Sequence, residues 1–341
     1  MKNILFLVLS CFTLTACNQN THSPQQHTET QVKTKSILAK QTNCLADTQE
    51  ILSKVDQKSS TQQLAAANSV LKKCIPELNN SQLYALLDST NQMYTRFLST
   101  TSGNDSLKGL NAYGYATFYP ENAQDLGHGD AENIKKKLPK RDQYLMEQID
   151  KEYIQFLDVG EGYFKLKRHP RYVADIFSPY LPEAEAVFIR RMAQDNADIL
   201  YSDAAISISA KELVERGVFW EKYIANYPNS PYLADAKYLF KEYEYLIFIG
   251  SDNSNTFGFS NGHYTLTDDQ TSIAIQWLAK QPHSSLANKA QNFLAFIAQD
   301  FPNIADDNYE QQYDSIKTLL NLSSPDFSKD CHSDALCSKS P

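Results

Sequence analysis

Carboxylate and imidazole side chains that could hold a metal ion are concentrated in one short segment. They are Asp125, His128, Asp130 and Glu132. The segment lacks the alternating ligand positions and the obligate glycine of a calcium loop. Acidic side chains beside glycine are also common turn formers. We therefore expect no metal at this segment, and since no other part of the chain shows a nucleotide or metal signature, we predict no cofactor.

Glutamates near aromatic residues could carry a second kind of chemistry, the hydrolysis of glycosidic bonds. That reaction needs two carboxyl groups about 5–9.5 Å apart across a cleft. Glu161, Glu183 and Glu185 are candidates, but the sequence does not place any two of them together, and acids on helices most often face solvent. We predict that the protein is not an enzyme. A protein that acts on or binds peptidoglycan or another oligosaccharide is the alternative hypothesis.

The N-terminal segment has the pattern of an export signal. An apolar run over residues 4–14 follows one basic residue and is too short to span a membrane as a mature helix. It ends in the sequence LTAC, which resembles the lipid-attachment motif of bacterial lipoproteins. The resemblance implies that residues 1–16 are removed and that Cys17 is acylated. Asn18 after the cysteine is typical of lipoproteins sorted to the outer membrane of Gram-negative bacteria, facing the periplasm. A plain secretory signal is the alternative.

Processing would remove Cys11 and leave four cysteines besides the acylated one, an even number in an exported protein. They are Cys44, Cys74, Cys331 and Cys337. The first two lie at the open end of a predicted helical hairpin with arms of equal length, which suits the Cα separation of about 5.5–6 Å that a disulfide requires. The last two would close a small loop. Buried thiols are the alternative for the first pair. A zinc site is the alternative for the second, although its spacing matches no usual ligand pattern.

Composition divides the chain into four parts. Residues 1–16 form the signal peptide, and residues 17–43 are polar and predicted to be a disordered tether. Residues 44–321 carry a recurrent helical pattern and form an α-helical domain, with a possible internal boundary near residues 100–141. Residues 322–341 are a tail that contains the second cysteine pair.

The clearest structural signal is a helical hairpin over residues 218–248, where two apolar helices meet at the turn YPNSP. Pro228 ends the first helix because it cannot continue one. Ser230 is then the predicted N-cap of the second helix, and Pro231 its first residue. A partial copy of the turn occurs at Pro282, and a weaker copy occurs near residue 302.

This order of helix, proline-containing turn and helix resembles tetratricopeptide-like helical hairpins. It resembles in particular the YPNSPY junctions of bacterial proteins of outer-membrane assembly and Tol-Pal coordination. The spacing departs from the regular period of that family because a polar segment separates the first two junctions. The predicted fold class is all-α, an irregular helical-hairpin array with two long loops, at residues 100–141 and 250–268. The first loop is predicted from its glycines and prolines. A helix over residues 142–157 is predicted to follow it.

The second loop follows the helical hairpin of residues 218–248, which we call the organising hairpin, and it could contact a partner. The possible contact residues are Phe257, Phe259, His263 and Tyr264. Loops on rigid helical scaffolds often carry recognition. An Ω-loop closed by its own aromatic rings is an equally weighted alternative.

The formal net charge is −8, which argues against nucleic acid and against direct binding to anionic membrane surfaces. The predicted contact with a membrane is therefore the lipid on Cys17. The leading hypothesis is a lipid-anchored periplasmic helical scaffold that binds another envelope protein or peptide, without catalysis. A substrate-binding lipoprotein of a transporter fits less well because such proteins have α/β domains that this pattern does not supply.

Overall fold

The computed structural model describes residues 43–100, 104–125, 129–326 and 328–339. The predicted signal peptide, Cys17 and nearly all of the tether lie outside these residues, as does His128 of the possible metal cluster. The described residues are mostly helical, with short two-stranded sheets. The predicted α class is therefore confirmed in its coarse form.

The fold begins with the predicted helical hairpin. Helix α1 covers residues 43–53, α2 covers Thr61–Cys74 and α3 covers Asn80–Phe97. Ser60 caps α2 in a capping box with Gln63, so that the backbone N–H of each residue donates to the side chain of the other. Cys44 and Cys74 form a disulfide at the open end of the hairpin, with their Cα atoms 5.7 Å apart.

The prediction of a long loop at residues 100–141 is wrong, because this segment is largely helical. It contains α4 (Asn104–Phe118), α5 (Pro120–Asp125), α6 (Ala131–Lys137) and the start of α7 (Lys140–Met146). Two of the glycines that suggested a loop lie inside α4. A Cβ atom on Gly109 would meet the Leu138 side chain at 2.7 Å, and one on Gly114 would meet the Phe164 ring at 2.2 Å. Glycine is therefore used here for close packing rather than for a turn.

The predicted helix over residues 142–157 is also corrected. Helix α7 ends at Met146, and the segment beyond it forms an antiparallel hairpin of β1 (Ile154–Asp158) and β2 (Phe164–Arg168). Ile154 and Phe156 are buried on one face of β1. Tyr153, Phe156 and Leu157 have the three- and four-residue spacing of a helix face, whereas Ile154 and Phe156 have the two-residue spacing of a strand, so periodicity alone did not separate the two.

The middle of the chain contains the predicted organising hairpin. This part of the chain consists of α8 (Arg171–Ile176), α9 (Glu183–Asp195), the hairpin of β3 (Tyr201–Ser202) and β4 (Ala205–Ile206), α10 (Ala210–Asn226) and α11 (Leu233–Phe248). The predicted helical hairpin is the pair α10 and α11. Helix α11 begins two residues later than predicted, and Ser230 is not its N-cap. Instead, the Ser230 Oγ accepts the N–H of Tyr232 at 3.1 Å and bonds the Tyr223 hydroxyl at 2.7 Å, which ties the turn to α10.

The prediction of a second long loop at residues 250–268 is wrong as well, because this segment forms two β-hairpins. These are β5 (Gly250–Ser251) with β6 (Ser254–Asn255), and β7 (Phe257–Ser260) with β8 (His263–Leu266). Helices α12 (Asp269–Leu278), α13 (Ser285–Ile297) and α14 (Tyr309–Leu320) follow, with Asp268 and Ser284 capping the first two. Helix α10 packs against α11 and α12, α12 against α13, and α13 against α14.

The C-terminal tail folds back onto the helices. Strand β9 (Lys329–Asp330) pairs with β10 (Ser338–Lys339), and the disulfide between Cys331 and Cys337 closes the loop between them. The Asn196 side chain donates to the carbonyls of Cys331 and Asp334 at 2.8 and 2.7 Å. Arg168, which is buried, pairs with Asp334 at 2.6 Å. The tail therefore connects β2, α9 and α11 rather than extending into solvent.

Candidate binding groove

The four residues predicted to contact a partner lie in the β7–β8 hairpin, which closes on its own aromatic rings. Phe257 and Tyr264 are only 3% and 4% exposed. The Tyr264 ring contacts Phe259 and Phe301, and its hydroxyl donates to a backbone carbonyl of α14 at 3.0 Å. His263 faces outward, with its Nδ1 3.2 Å from Asp300. The expectation is therefore corrected for Phe257 and Tyr264, whose burial fits the alternative of a loop closed by its own rings. Phe259 is half-buried and His263 is exposed, so that a partner contact at these two residues stays a prediction.

The glutamates considered for glycosidic chemistry occupy two separate places. Glu161 is exposed at the turn between β1 and β2, in a left-handed conformation. Glu183 and Glu185 lie in the first turn of α9, two positions apart, so that they point in different directions. Glu185 accepts a hydrogen bond from the Tyr84 hydroxyl, and burial raises its pKa. These positions do not form a facing pair of carboxylates.

The acidic residues near the possible metal cluster have structural contacts where the structure describes them. Asp130 caps α6 by accepting the N–H of Asn133 at 2.9 Å, and Glu132 pairs with Lys135 at 2.7 Å. At the second cysteine pair, the two sulfurs are joined to each other rather than free to bind zinc. Within the described ranges, no group of three or more His, Cys, Asp or Glu side chains is arranged to hold a metal ion.

An open groove of about 720 Å³ lies between the end of α11, the start of α14 and the hairpins β3–β4 and β5–β6. Four tyrosines line it, and we call it the tyrosine groove. They are Tyr201, Tyr245, Tyr309 and Tyr313. Leu246 and Ile249 form its apolar floor but are only 2% and 3% exposed, while Asp252 and Asn255 stand exposed at the rim.

The shape of the groove depends on the exit of the chain from α11. Gly250 follows the helix with a φ of 89°. A Cβ atom there would meet the carbonyl oxygen of Ser254 at 2.0 Å, so that only glycine fits this turn. The turn directs β5 and β6 along the side of the groove. Ser251 has its Oγ buried there, with no hydrogen-bond partner among the described residues.

One wall of the groove is held in place by the C-terminal tail. The Tyr201 hydroxyl donates to the buried Glu242 carboxylate at 2.8 Å, and the other oxygen of Glu242 lies 2.9 Å from His332 Nε2. Burial and the Glu242 carboxylate raise the pKa of Tyr201 well above its ordinary value. Tyr201 therefore remains a neutral hydrogen-bond donor. His332 lies in the disulfide-closed loop of the tail, so that this loop supports the Tyr201 wall.

The tyrosines differ in how much of each ring is available. Tyr309 is 68% exposed. Tyr313 is half-buried, with one side of its ring 4.9 Å from the Phe257 ring. Burial raises the pKa of Tyr313, and the neighbouring Tyr245 and Asp252 raise it further. The groove therefore combines one freely accessible ring, rings supported by the core and a single carboxylate.

Sequence reasoning did not identify this groove because its residues come from distant parts of the chain. Tyr201, Tyr245 and Tyr309 lie in three segments separated by more than a helix each, and none stands in a recognisable motif. No local signal in the sequence distinguishes these tyrosines from the buried ones.

Comparisons with protein families, with characterised proteins and with solved structures find no significant match to this chain. In the part of the chain that the structure describes, no helix combines the length and the apolar composition needed to cross a membrane.

Proposed function

We propose that the protein is a lipid-anchored periplasmic scaffold that binds a peptide segment of another envelope protein in the tyrosine groove, without catalysis. The observation that carries this proposal is the groove itself. Its volume of about 720 Å³ falls within the range of ligand-binding pockets. Its lining of tyrosines over an apolar floor is the composition that interfaces favour.

The physical properties of tyrosine support a peptide as the ligand. A tyrosine ring offers a large contact area with only two rotatable bonds, so that little conformational entropy is lost on binding. The partly exposed rings of Tyr201, Tyr245 and Tyr313 provide apolar surface for aliphatic side chains. The rim residues Asp252 and Asn255 can meet backbone amide groups. The groove is also open, which suits an extended chain better than a small enclosed molecule.

The proposed anchor and tether supply the location. The chain between Cys17 and the first described helix is polar, and a flexible coil of that length has ends about 25–30 Å apart. That distance allows the helical domain to bind partners near the inner surface of the outer membrane. The proposal includes the tetratricopeptide-like arrangement: the α10–α11 hairpin is followed by the α12–α13 hairpin, and α12 packs against α10.

Photo-crosslinking in cells tests the binding proposal. The crosslinking amino acid p-benzoylphenylalanine is placed at Tyr309, which is 68% exposed in the groove. The matched control places it at Tyr180, which is 46% exposed and outside the groove. We expect one discrete adduct with an envelope protein for position 309 and none for position 180. No adduct at position 309, or the same adduct at both positions, contradicts the proposal.

A separate measurement tests the anchor. We expect Cys17→Ala to abolish incorporation of labelled palmitate and to leave the protein outside the membrane fraction. If the wild-type protein carries no label, or if the variant still sediments with outer membranes, the anchoring proposal is wrong even where the crosslink at Tyr309 is observed.

Oligosaccharide binding is the second candidate function. It is favoured by one observation, that tyrosine rings and the polar rim residues Asp252 and Asn255 share the same groove, since sugar rings stack on aromatic faces while their hydroxyl groups bond polar side chains. Titration with soluble peptidoglycan fragments distinguishes the two. Saturable binding that Tyr309→Ala abolishes supports the glycan candidate, and release of shorter fragments during the titration would show an enzyme.

A further inference from the structure

The tyrosine groove has an uncompensated negative charge. Of the described residues that line it, Asp252 is the one with a charged side chain, and its carboxylate is exposed at the rim. Among the described residues, Asp252 makes no hydrogen bond and no ion pair. Lys211 lines a neighbouring groove that Asp252 also borders, but the Lys211 Nζ lies 3.6 Å from the Glu215 carboxylate. No cation in the described part of the chain is therefore engaged with Asp252.

The rings around this carboxylate favour the same sign of ligand charge. The faces of tyrosine rings carry negative electrostatic potential and attract cations within about 6 Å. Tyr313 is held by its contact with Phe257, and Tyr245 is anchored on α11, so that both rings are supported next to the rim. Asp252 and Tyr313 line the same groove, and the negative charge of Asp252 contributes to raising the pKa of Tyr313. The net charge of −8 adds a field of the same sign.

We infer that the tyrosine groove recognises a peptide segment through a lysine or arginine side chain, which pairs with Asp252 while it lies against the Tyr245 and Tyr313 rings. This inference rests on the proposed function, because it specifies which peptide the groove binds. Arginine is the preferred residue, since its planar guanidinium can stack on a ring and bond a carboxylate with two N–H groups at once.

The first experiment identifies peptides without assuming a partner. A random peptide library displayed on phage is selected on the full-length protein in detergent, and the clones are tested again on Tyr309→Ala. We expect the peptides that lose binding on the variant to share at least one arginine or lysine. Enrichment of groove-dependent peptides without a basic residue contradicts the inference while it supports the proposed function. Selection of no peptide that depends on Tyr309 contradicts the proposed function.

The second experiment measures the charge contact directly. One selected peptide is made with arginine, lysine, citrulline or glutamate at its basic position, and fluorescence polarisation gives each dissociation constant. We expect citrulline, which keeps the shape of arginine but lacks its charge, to bind about tenfold more weakly, and glutamate to bind more weakly still. On Asp252→Asn, the difference between arginine and citrulline should shrink to about twofold.

A matched variant separates the local contact from the general field of the protein. Asp203 is an exposed acid at the β3–β4 turn, and it does not line the groove. Asp203→Asn makes the same change in net charge and should leave the preference for arginine at its wild-type value. Equal effects of the two variants, or an unchanged preference in Asp252→Asn, would show that Asp252 does not receive the cation. Equal melting temperatures confirm that each variant is folded.

Discussion

The tyrosine groove and the β7–β8 hairpin are neighbours in the fold and are both rich in aromatic rings, but they use these rings in opposite ways. In the hairpin, Phe257 and Tyr264 are almost completely buried. In the groove, Tyr309 is 68% exposed. Tyr313 belongs to both regions, because one side of its ring contacts Phe257 while the residue also lines the groove.

The difference shows that the number of helices and strands packed around an aromatic ring decides whether the ring is buried in the core or exposed as a contact surface. The hairpin packs against α12 and α13, and its rings contact side chains of α13 and α14. Apolar surface therefore covers these rings from several directions. At the groove, the chain turns away at Gly250 and the hairpin β5–β6 forms a side wall instead of a cover. The same residue type is a core residue in one place and a contact surface in the other.

The sharpest test of this contrast is to remove a ring from the closed region. We expect Phe257→Ala to lower the free energy of unfolding by about 3–5 kcal/mol, because the side chain is fully packed and its removal leaves a cavity. Chemical denaturation followed by circular dichroism measures this loss. A loss below about 1 kcal/mol would mean that the hairpin is not part of the core.

The two disulfides separate stability from binding. Replacing Cys331 and Cys337 with alanine should lower the free energy of unfolding by about 2–3 kcal/mol. Replacing Cys44 and Cys74 should lower it by about 3–4 kcal/mol, because the bridge between these two closes the longer loop. The first double variant should also weaken binding of a groove peptide, since it loosens the support of Tyr201. The second should leave binding unchanged wherever the protein is folded. Equal effects on binding would remove the link between tail and groove.

The alkaline stability of the protein tests how firmly the groove wall is held. The pKa of Tyr201 is raised in the folded protein, whereas the unfolded chain releases its phenolic proton near pH 10. The stability due to this shift is fully present below about pH 10 and is lost as the pH rises further. The free energy of unfolding of Tyr201→Phe should therefore fall less steeply with pH above pH 10 than that of the wild-type protein. The difference between the two slopes should correspond to about one proton.

The control for this measurement is Tyr309→Phe, which removes an exposed hydroxyl from the same groove. Its unfolding free energy, measured by denaturant titration between pH 8 and pH 11, should follow the wild-type curve. If Tyr201→Phe also follows that curve, the contact between Tyr201 and Glu242 does not hold the phenol in its neutral form.

The smallest expected change in stability is that of Tyr309→Ala, which should alter the unfolding free energy by less than about 0.5 kcal/mol because the side chain is mostly exposed. Binding of a groove peptide should nevertheless fall about tenfold, as is typical when an aromatic contact residue is truncated. Calorimetry measures both quantities. A large loss of stability would place Tyr309 in the core and would end the contrast between the two regions.

Features that depend on near neighbours in the chain were predictable. Ser209, Asp268 and Ser284 cap the helices that follow them, and such caps are local because an N-cap bonds a backbone N–H only three residues away. The pairing of Cys44 with Cys74 follows from two helices of similar length and a short turn. These interactions form between residues close in the chain and depend little on the rest of the fold.

Features that depend on distant contacts were not predictable. Gly109 and Gly114 resemble loop residues until Leu138 and Phe164 are seen against them. The strand that contains Phe156 resembles the end of a helix until its partner strand is known. In both cases the local pattern allowed two structures, and a contact far along the chain selected one of them.

The sequence by itself determined which cysteines can pair and that the described part is mostly helical, whereas the N-cap expected at Ser230 was wrong. Only the tertiary structure decided which tyrosines are exposed. The physical reason is one of range: capping and short-loop pairing involve groups a few residues apart or joined by a simple hairpin, whereas the exposure of Tyr201, Tyr245 and Tyr309 depends on whether other elements cover them. That covering is set by the turn at Gly250 and by the docking of the C-terminal tail, which bring distant segments together.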